Sequence, residues 1–247
     1  MVARLDLTQD PALLDALLVA RRGTAFFGRK LNELPDDSLS GQSLLAGWSR
    51  AHVIAHVGYN ARALARLVEW AITGVETPMY SSPEARNEEI ALGATLSPIA
   101  LRNLYEHSAI QLNVEWRDTP EKAWSHEVKT AQGRTVPASE TVWMRTREVW
   151  LHAVDLNNGA GVAEIPAVVL ERLLRDITGT WQTRGDDRDL VLRVSGGDSL
   201  PDLGDTTAAD PEVVAGTLAD ITAWACGRSS RGVRSNRQEL SRAPRWI

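Results

Sequence analysis

The sequence predicts an α-rich, multi-domain protein in which an N-terminal four-helix bundle is followed by a small C-terminal α/β domain. Four long segments in the first part of the chain carry apolar residues at helical spacing, which is typical of amphipathic helices. The composition then changes after the Asn- and Gly-rich segment 157–161. A length of 247 residues suits one large domain or two modest ones. We therefore predict a helical bundle over residues 1–158 and a mixed α/β domain over residues 159–247.

The bundle helices are predicted near residues 10–30, 49–71, 97–116 and 143–155. The first has Asp10 as a candidate cap and Pro11 in its first turn, where proline is tolerated. The second stops before Gly74. A long loop is expected between the second and third helices, and connections of this length are uncommon unless they serve a site. A short hairpin with its turn at Gln132–Gly133 is expected before the fourth helix.

The C-terminal domain is predicted to begin with a helix over residues 166–181. An apolar run at residues 190–194 reads as a strand, and a segment rich in Gly, Asp and Pro, 198–210, reads as a loop. A second strand is expected at residues 213–218. A final helix, 218–226, ends at a glycine that is a plausible C-terminal cap.

Composition and charge exclude several functional classes. With 43% hydrophobic and 24% charged residues the chain is an ordinary globular protein. A net charge of −5 argues against nucleic acid as a partner. No apolar run reaches membrane-spanning length and no signal-peptide pattern is present, so a cytoplasmic location is expected. The single cysteine, Cys226, excludes an internal disulfide. It lies on an apolar helix face without a nearby histidine, and we expect it to be buried and inert.

Two pairs of residues spaced four apart indicate a metal site. Glu148 and His152 project from one face of the fourth bundle helix, and His52 and His56 do so on the second. Taken alone, the pair of Glu148 and His152 is more typical of an ordinary polar pair on a helix surface than of a metal site. However, these pairs contain three of only five histidines. If the two helices pack together, one histidine of the first pair joins Glu148 and His152 in a site with open positions, as at a catalytic zinc.

Long runs of the sequence resemble the mycothiol-dependent maleylpyruvate isomerase family, whose metal-binding half is a DinB-like four-helix bundle. The resemblance extends over nearly the whole chain. It is densest in GWSRAHVIAH (47–56), ETPMY (76–80), SPEARNEEI (82–90), SHEV (125–128), AQGRTVPA (131–138) and REVW (147–150).

The resemblance assigns roles to individual residues. It implies that His56, Glu148 and His152 bind a divalent metal, for which zinc is the first expectation, although such ligands also suit other ions. His52 is then an outer residue of the site or part of the core. The family places a C-terminal arginine at its active site, and this position matches Arg228. The alternative for Arg228 is a helix-terminal cation that complements the helix dipole.

Two further arginines, Arg86 and Arg134, lie in the motif runs that carry the resemblance. They are candidate contacts for the substrate or the thiol. A scaffold or surface role is the alternative for both. The residues that would bind mycothiol are not identified by the sequence.

The resemblance implies a cis–trans isomerase that converts maleylpyruvate to fumarylpyruvate in gentisate degradation, with mycothiol as cofactor. Thiolate addition would make the conjugated double bond single, and rotation and thiolate loss would then give the trans isomer. Two alternatives are a mycothiol S-transferase acting on electrophilic compounds and a non-catalytic metal-binding regulatory module. The expected partners are a small-molecule substrate and mycothiol, without nucleic acid or membrane. A monomer is expected, although the sequence leaves the oligomeric state open.

Overall fold

A computed structural model describes residues 5–196 and 200–246. The chain divides into two compact units, residues 1–160 and 161–247, and each is described by itself below. The predicted boundary between residues 158 and 159 lies two residues before this division.

The first unit is a bundle of helices with one short hairpin. Pro11 occupies the first turn of the first helix, and the Asp10 carboxylate accepts a hydrogen bond of 2.9 Å from the Ala12 amide, as its capping role requires. Among the described residues of this unit, the α-helices are α1 (Pro11–Asn32), α2 (Arg50–Thr73), α3 (Pro83–Gly93), α4 (Pro98–Arg117) and α5 (Glu140–Asp155).

Four of these helices form the predicted bundle. Helix α2 packs against α4 and α5, and α1 packs against the same two neighbours, so the four helices close a ring. Helix α2 is buried on almost every side, and Val53, Ile54 and Val57 have no exposed surface. Burial of each such side chain contributes about 1.5–3 kcal/mol. Polar groups on α2 are therefore held in an apolar and closely packed environment.

The expected long loop between α2 and α4 contains a helix, so that part of the prediction was wrong. Helix α3 begins after Ser82, whose hydroxyl accepts a hydrogen bond of 3.1 Å from the Ala85 amide. Only Ile90 and Gly93 of α3 are buried, which leaves little apolar periodicity to detect. Gly93 lies against α2, where an added Cβ would come within 2.6 Å of the Tyr59 ring. The connection thus packs closely against α2 at this glycine.

The short hairpin is present between α4 and α5. Strands β1 (Glu127–Lys129) and β2 (Thr135–Pro137) are antiparallel, and the turn between them contains Gly133 with φ of 79°. His126, just before β1, donates from Nδ1 to the Ala71 carbonyl. Because Ala71 lies near the end of α2, the hairpin covers that end of the bundle.

The second unit contains helices α6 (Ala167–Arg184) and α7 (Leu218–Ala225) and a four-stranded sheet. The sheet order is β4 (Leu203–Gly204), β3 (Leu190–Val194), β5 (Glu212–Gly216), β6 (Arg234–Ser235), with β3 and β5 parallel and both outer strands antiparallel.

Most elements predicted for the second unit are present, with two differences. The predicted loop 198–210 contains strand β4, and its first two residues lie outside the described residues. The strand β6 in the polar C-terminal segment was not predicted. Among the described residues, no helix is both long and apolar enough to cross a membrane.

Candidate metal centre

Three predicted ligands meet between α2 and α5. His56 comes from the second turn of α2, while Glu148 and His152 lie one turn apart on α5. Each offers one ligand atom, and these atoms lie within 4.8 Å of one another. The helix spacing alone fixes the Glu148–His152 pair, but the packing of α2 against α5 brings in His56.

The Glu148 carboxylate is the centre of this cluster. Its Oε2 atom lies 2.8 Å from Nε2 of His56 and 3.1 Å from Nε2 of His152. The two imidazole rings meet edge to face, with centroids 4.8 Å apart. Two ring nitrogens and one carboxylate oxygen thus point toward one small volume.

Asp155 orients one of these ligands and was not identified from the sequence. Its Oδ2 lies 2.9 Å from Nδ1 of His152, and its side chain has no exposed surface. This contact leaves Nε2 of His152 facing Glu148. A buried carboxylate behind a histidine ligand is a common support at metal sites. The spacing of three between His152 and Asp155 on a helix was the signal that could have revealed it.

Burial and the mutual contacts set the charge of the cluster without a metal. Burial lowers the pKa of His56, although Glu148 opposes this effect. Burial also disfavours the charged form of His152, but Asp155 and Glu148 raise the pKa of that histidine to about 9. Burial opposes ionisation of Glu148 as well, yet hydrogen bonds from both histidines hold the pKa of its carboxyl well below its ordinary value. At neutral pH the cluster holds an ionised Glu148 and a protonated His152.

The residues present fit a divalent ion. Two imidazole nitrogens and a carboxylate oxygen form the ligand set of several catalytic zinc sites, in which further positions stay open. The Glu148 and His152 side chains keep 17% and 12% of their surface exposed, so small molecules can approach the cluster. Asp155 supplies the outer support that such a site needs.

Helix α3 brings Arg86 to the same cluster. Its Nη2 lies 3.3 Å from Nδ1 of His56, on the side of the ring opposite Glu148. The guanidinium also lies 5.9 Å from the ring centroid of Tyr80, a half-buried side chain. Burial raises the pKa of the Tyr80 phenol to about 12, so it stays protonated at neutral pH.

The other histidine of the first pair has a different role. His52 completes a capping box at the start of α2: its Nδ1 accepts from the Ser49 amide at 3.3 Å, and the Ser49 hydroxyl accepts from the His52 amide. Its ring stacks on Trp48, which in turn meets the His56 ring at its edge. Trp48 therefore links His52 to the cluster.

Of the two other candidate arginines, Arg134 lies away from the cluster and Arg228 belongs to the second unit. Arg134 is exposed in the turn of the hairpin, which is anchored to Ala71. Ala71 lies fifteen residues after His56, or about 22 Å along a helix. In the second unit, Arg228 donates from Nη1 to the Cys226 carbonyl at 2.5 Å, a contact that also suits a helix-terminal cation. Cys226 itself is buried, as predicted.

Comparisons with known proteins agree with this architecture. The family model for the mycothiol maleylpyruvate isomerase N-terminal domain matches residues 20–157. A crystal structure of the mycothiol-dependent maleylpyruvate isomerase is 53% identical, with a TM-score of 0.91, and the match covers 95% of this chain and 97% of that one. The structure of a histidine-to-alanine mutant of that enzyme is 52% identical, with the same TM-score and coverage. No curated protein sequence matches the chain.

The match over nearly the full length confirms the predicted fold class, a DinB-like helical bundle followed by a small α/β unit. Both the family model, which spans more than half of the chain, and the identity above 50% establish the relationship. The chain belongs to the mycothiol maleylpyruvate isomerase family.

Proposed function

We propose that this protein is a mycothiol-dependent isomerase that converts maleylpyruvate to fumarylpyruvate. One observation carries the proposal: the ligand atoms of His56, Glu148 and His152 lie within 4.8 Å of one another in a chain 53% identical to a solved enzyme of this activity. The identity covers both units of the chain. A related S-transferase activity has no comparable support in the structure.

His56, Glu148 and His152 hold a divalent metal in this proposal, and zinc suits their nitrogen and oxygen ligands best. A bound divalent ion would favour deprotonation of a thiol beside it and polarise a carbonyl oxygen. The protein residues prepare the site for that chemistry. Glu148 contributes a negative charge, and Asp155 fixes the His152 ring.

Mycothiol is proposed to supply the nucleophile. Its reversible addition to the cis double bond would allow rotation about that bond, which conjugation otherwise prevents. The only cysteine of the chain does not suit this role. Cys226 is buried, and its thiol contacts the Ala223 carbonyl at 3.6 Å rather than a histidine or another base.

The substrate carries two carboxylates, and a closed site makes an unpaired carboxylate costly. Arg228 is proposed to bind one of them through its planar fork, and Arg86 and Arg134 are further candidates. Arg228→Ala should then keep metal and fold but lose about 2–5 kcal/mol in kcat/KM. Arg228→Lys should restore little of this loss, because lysine lacks the fork. Wild-type kinetics in Arg228→Ala would rule out the role.

The remaining proposals concern the cellular location, the oligomeric state and the partners of the enzyme. We propose a cytoplasmic monomer whose partners are the substrate and mycothiol. The net charge of −5 supports the exclusion of nucleic acid as a partner. Size-exclusion chromatography with light scattering would test the oligomeric state.

One assay tests the proposed function. Conversion of maleylpyruvate is followed by absorbance with and without mycothiol, for the wild-type protein and for Cys226→Ser. Turnover should require mycothiol, and Cys226→Ser should keep most of it. Full activity without added thiol that is lost in Cys226→Ser would refute the cofactor mechanism. Absence of turnover under all conditions would refute the activity.

A further inference from the structure

Tyr80 lies in the ETPMY segment between α2 and α3 and is held in place from both helices. Arg66 of α2 donates from Nε to the Met79 carbonyl at 3.1 Å, and its guanidinium lies 6.0 Å from the centroid of the Tyr80 ring. The Arg86 guanidinium of α3 lies 5.9 Å from the same centroid and forms a hydrogen bond with the phenol. Cations beside an electron-rich ring favour this placement. The Tyr80 hydroxyl therefore has a defined position.

The Arg86 guanidinium also connects Tyr80 with the metal centre. Its Nη2 lies 3.3 Å from Nδ1 of His56, so one guanidinium group joins the phenol to a predicted metal ligand. The Glu148 carboxylate acts on the phenol as well. Burial is the main cause of the raised pKa of Tyr80, Arg86 opposes it, and the charge of Glu148 adds to it. Because the interaction between charges weakens with distance, Tyr80 lies within the electrostatic field of the centre.

The hydroxyl proton of Tyr80 has no acceptor among the hydrogen bonds of the described residues. A guanidinium has donors only, so the phenol oxygen accepts in its bond with Arg86. In contrast, the hydroxyl of the buried Tyr105 donates to the Thr24 carbonyl, which satisfies it within the bundle. A cation that donates to the phenol oxygen also polarises the O–H bond and strengthens its own donation. Tyr80 therefore offers a polarised donor near the metal centre on a half-buried side chain.

We propose that Tyr80 is a further catalytic residue, whose hydroxyl donates a hydrogen bond to the substrate oxygen on which negative charge develops. In the proposed isomerisation a C–S bond forms at one carbon of the cis double bond, and the π electrons move onto the conjugated carbonyl oxygen. The resulting enolate has a C–C single bond that can rotate. The electrons then return, the C–S bond breaks and the trans double bond forms. Tyr80 stabilises the charge and keeps its proton throughout.

This inference rests on the proposed function and adds the residue that stabilises the charge formed during the reaction. A donor aimed at developing charge binds the transition state more strongly than the substrate, and its loss lowers kcat rather than raising KM. Tyr80→Phe should therefore lower kcat about 100-fold or more, as for loss of one oxyanion donor, with KM within about twofold of wild type. The Zn²⁺ content and the circular dichroism spectrum should be unchanged. A raised KM at unchanged kcat would overturn the proposal.

Binding of 3-nitropropionate tests the same role without turnover. Its nitronate form carries negative charge on oxygen beside a planar carbon, as an enolate does, whereas its nitro form lacks that charge. The nitro form predominates near pH 7 and the nitronate near pH 10, where burial keeps Tyr80 protonated because its pKa is about 12. In calorimetric titrations of the Zn²⁺-loaded proteins, Tyr80→Phe should bind the nitronate about tenfold or more weakly than wild type. The nitro form should bind both proteins within about twofold.

Tyr59→Phe is the matched control. It removes the same hydroxyl from a half-buried tyrosine of α2, whose pKa is raised by burial and by Glu89 rather than by Glu148. This variant should bind both forms of 3-nitropropionate within about twofold of wild type. Nitronate binding by Tyr80→Phe equal to that of wild type, equal losses for the nitro and nitronate forms, or equal losses in both tyrosine variants would overturn the proposal. If the nitronate result holds but the wild type does not isomerise maleylpyruvate, only the proposed reaction is refuted.

Discussion

Two buried polar clusters lie between helices α2 and α5, and they differ in how their polar groups are arranged and hydrogen-bonded. In one, His56, Glu148 and His152 turn their nitrogens and an oxygen toward a common volume. In the other, the Arg145 guanidinium of α5 donates to the Val57 carbonyl at 2.6 Å and to the Asn60 side chain at 3.0 Å.

The comparison separates two uses of buried polarity. Arg145 is fully buried, and burial lowers its pKa, yet its described partners are neutral groups of α2. Its Nη1 atom bridges the two helices directly, which is a structural role, whereas its buried Nη2 has no hydrogen-bond partner among the described residues. In the histidine and carboxylate cluster, three potential metal-ligand atoms face one volume. Convergence of potential ligand atoms, rather than burial or charge, marks the candidate functional site.

The largest expected effect is the loss of metal when one of the three predicted ligands is replaced by alanine. His56→Ala, Glu148→Ala and His152→Ala should each lower metal affinity by more than the roughly 10–100-fold typical of outer residues, because a ligand itself is lost. His52→Ala is the matched control and should retain metal, since His52 caps α2 instead. Metal analysis that found His52→Ala empty and His56→Ala fully loaded would reverse the assignment.

Asp155→Asn should have the next largest effect on metal affinity. The amide keeps the size of the side chain but removes the charge that accepts from His152. Metal affinity should fall about 10–100-fold while the fold is retained, as measured by competition with a chromophoric chelator and by circular dichroism. An unchanged affinity would mean that Asp155 does not support the ligand.

The dependence of metal affinity on pH should be smaller for a change of one pH unit. His152 has a raised pKa of about 9, so the metal must displace its proton at neutral pH. Affinity should therefore rise about tenfold per pH unit between about pH 7 and 9. The stability of the metal-free protein changes with pH in the opposite direction. Because folding raises the pKa of His152, the protonated ring stabilises the fold fully below the ordinary pKa of histidine. This contribution is lost as pH rises through 9. Chelator competition and urea unfolding across this range measure both trends, and a flat metal affinity would contradict the charge assignment.

The smallest effect on metal affinity is expected for substitution of Arg145 in the second cluster. Arg145→Met should leave metal affinity within about threefold of wild type, because Arg145 is not a ligand. It leaves the Asn60 oxygen without its donor, which should lower the free energy of unfolding by about 1–3 kcal/mol, less the benefit of removing a buried charge. Urea unfolding and metal analysis of the variant test both expectations. Loss of metal with an unchanged free energy of unfolding would contradict the structural role assigned to Arg145.

Much of the bundle could be predicted because its helices are long and amphipathic, and their caps are local signals. The spacing of four within α2 and α5 placed each pair on one face. Spacing alone could not choose between His52 and His56, because that choice depends on which helix packs alongside. The family resemblance made this choice, and the observed packing brings His56 to Glu148.

Other features depended on packing that no local pattern reports. Helix α3 is short and mostly polar, so its only clear signal was the Ser82–Pro83 start. The approach of Arg86 to His56 joins residues thirty positions apart and follows from the docking of α3 on α2. Asp155, in contrast, was within reach of sequence reasoning, since its spacing from His152 is local.

The most direct test of the account is a metal titration of turnover. Metal-free wild-type protein, supplied with mycothiol and maleylpyruvate, receives increasing Zn²⁺. Turnover should start near zero, rise in proportion to the metal and level off at one ion per chain, the stoichiometry of a single His56, Glu148 and His152 centre. Full turnover before any metal is added, or none at any metal concentration, would contradict the assignment of this cluster as a catalytic metal centre.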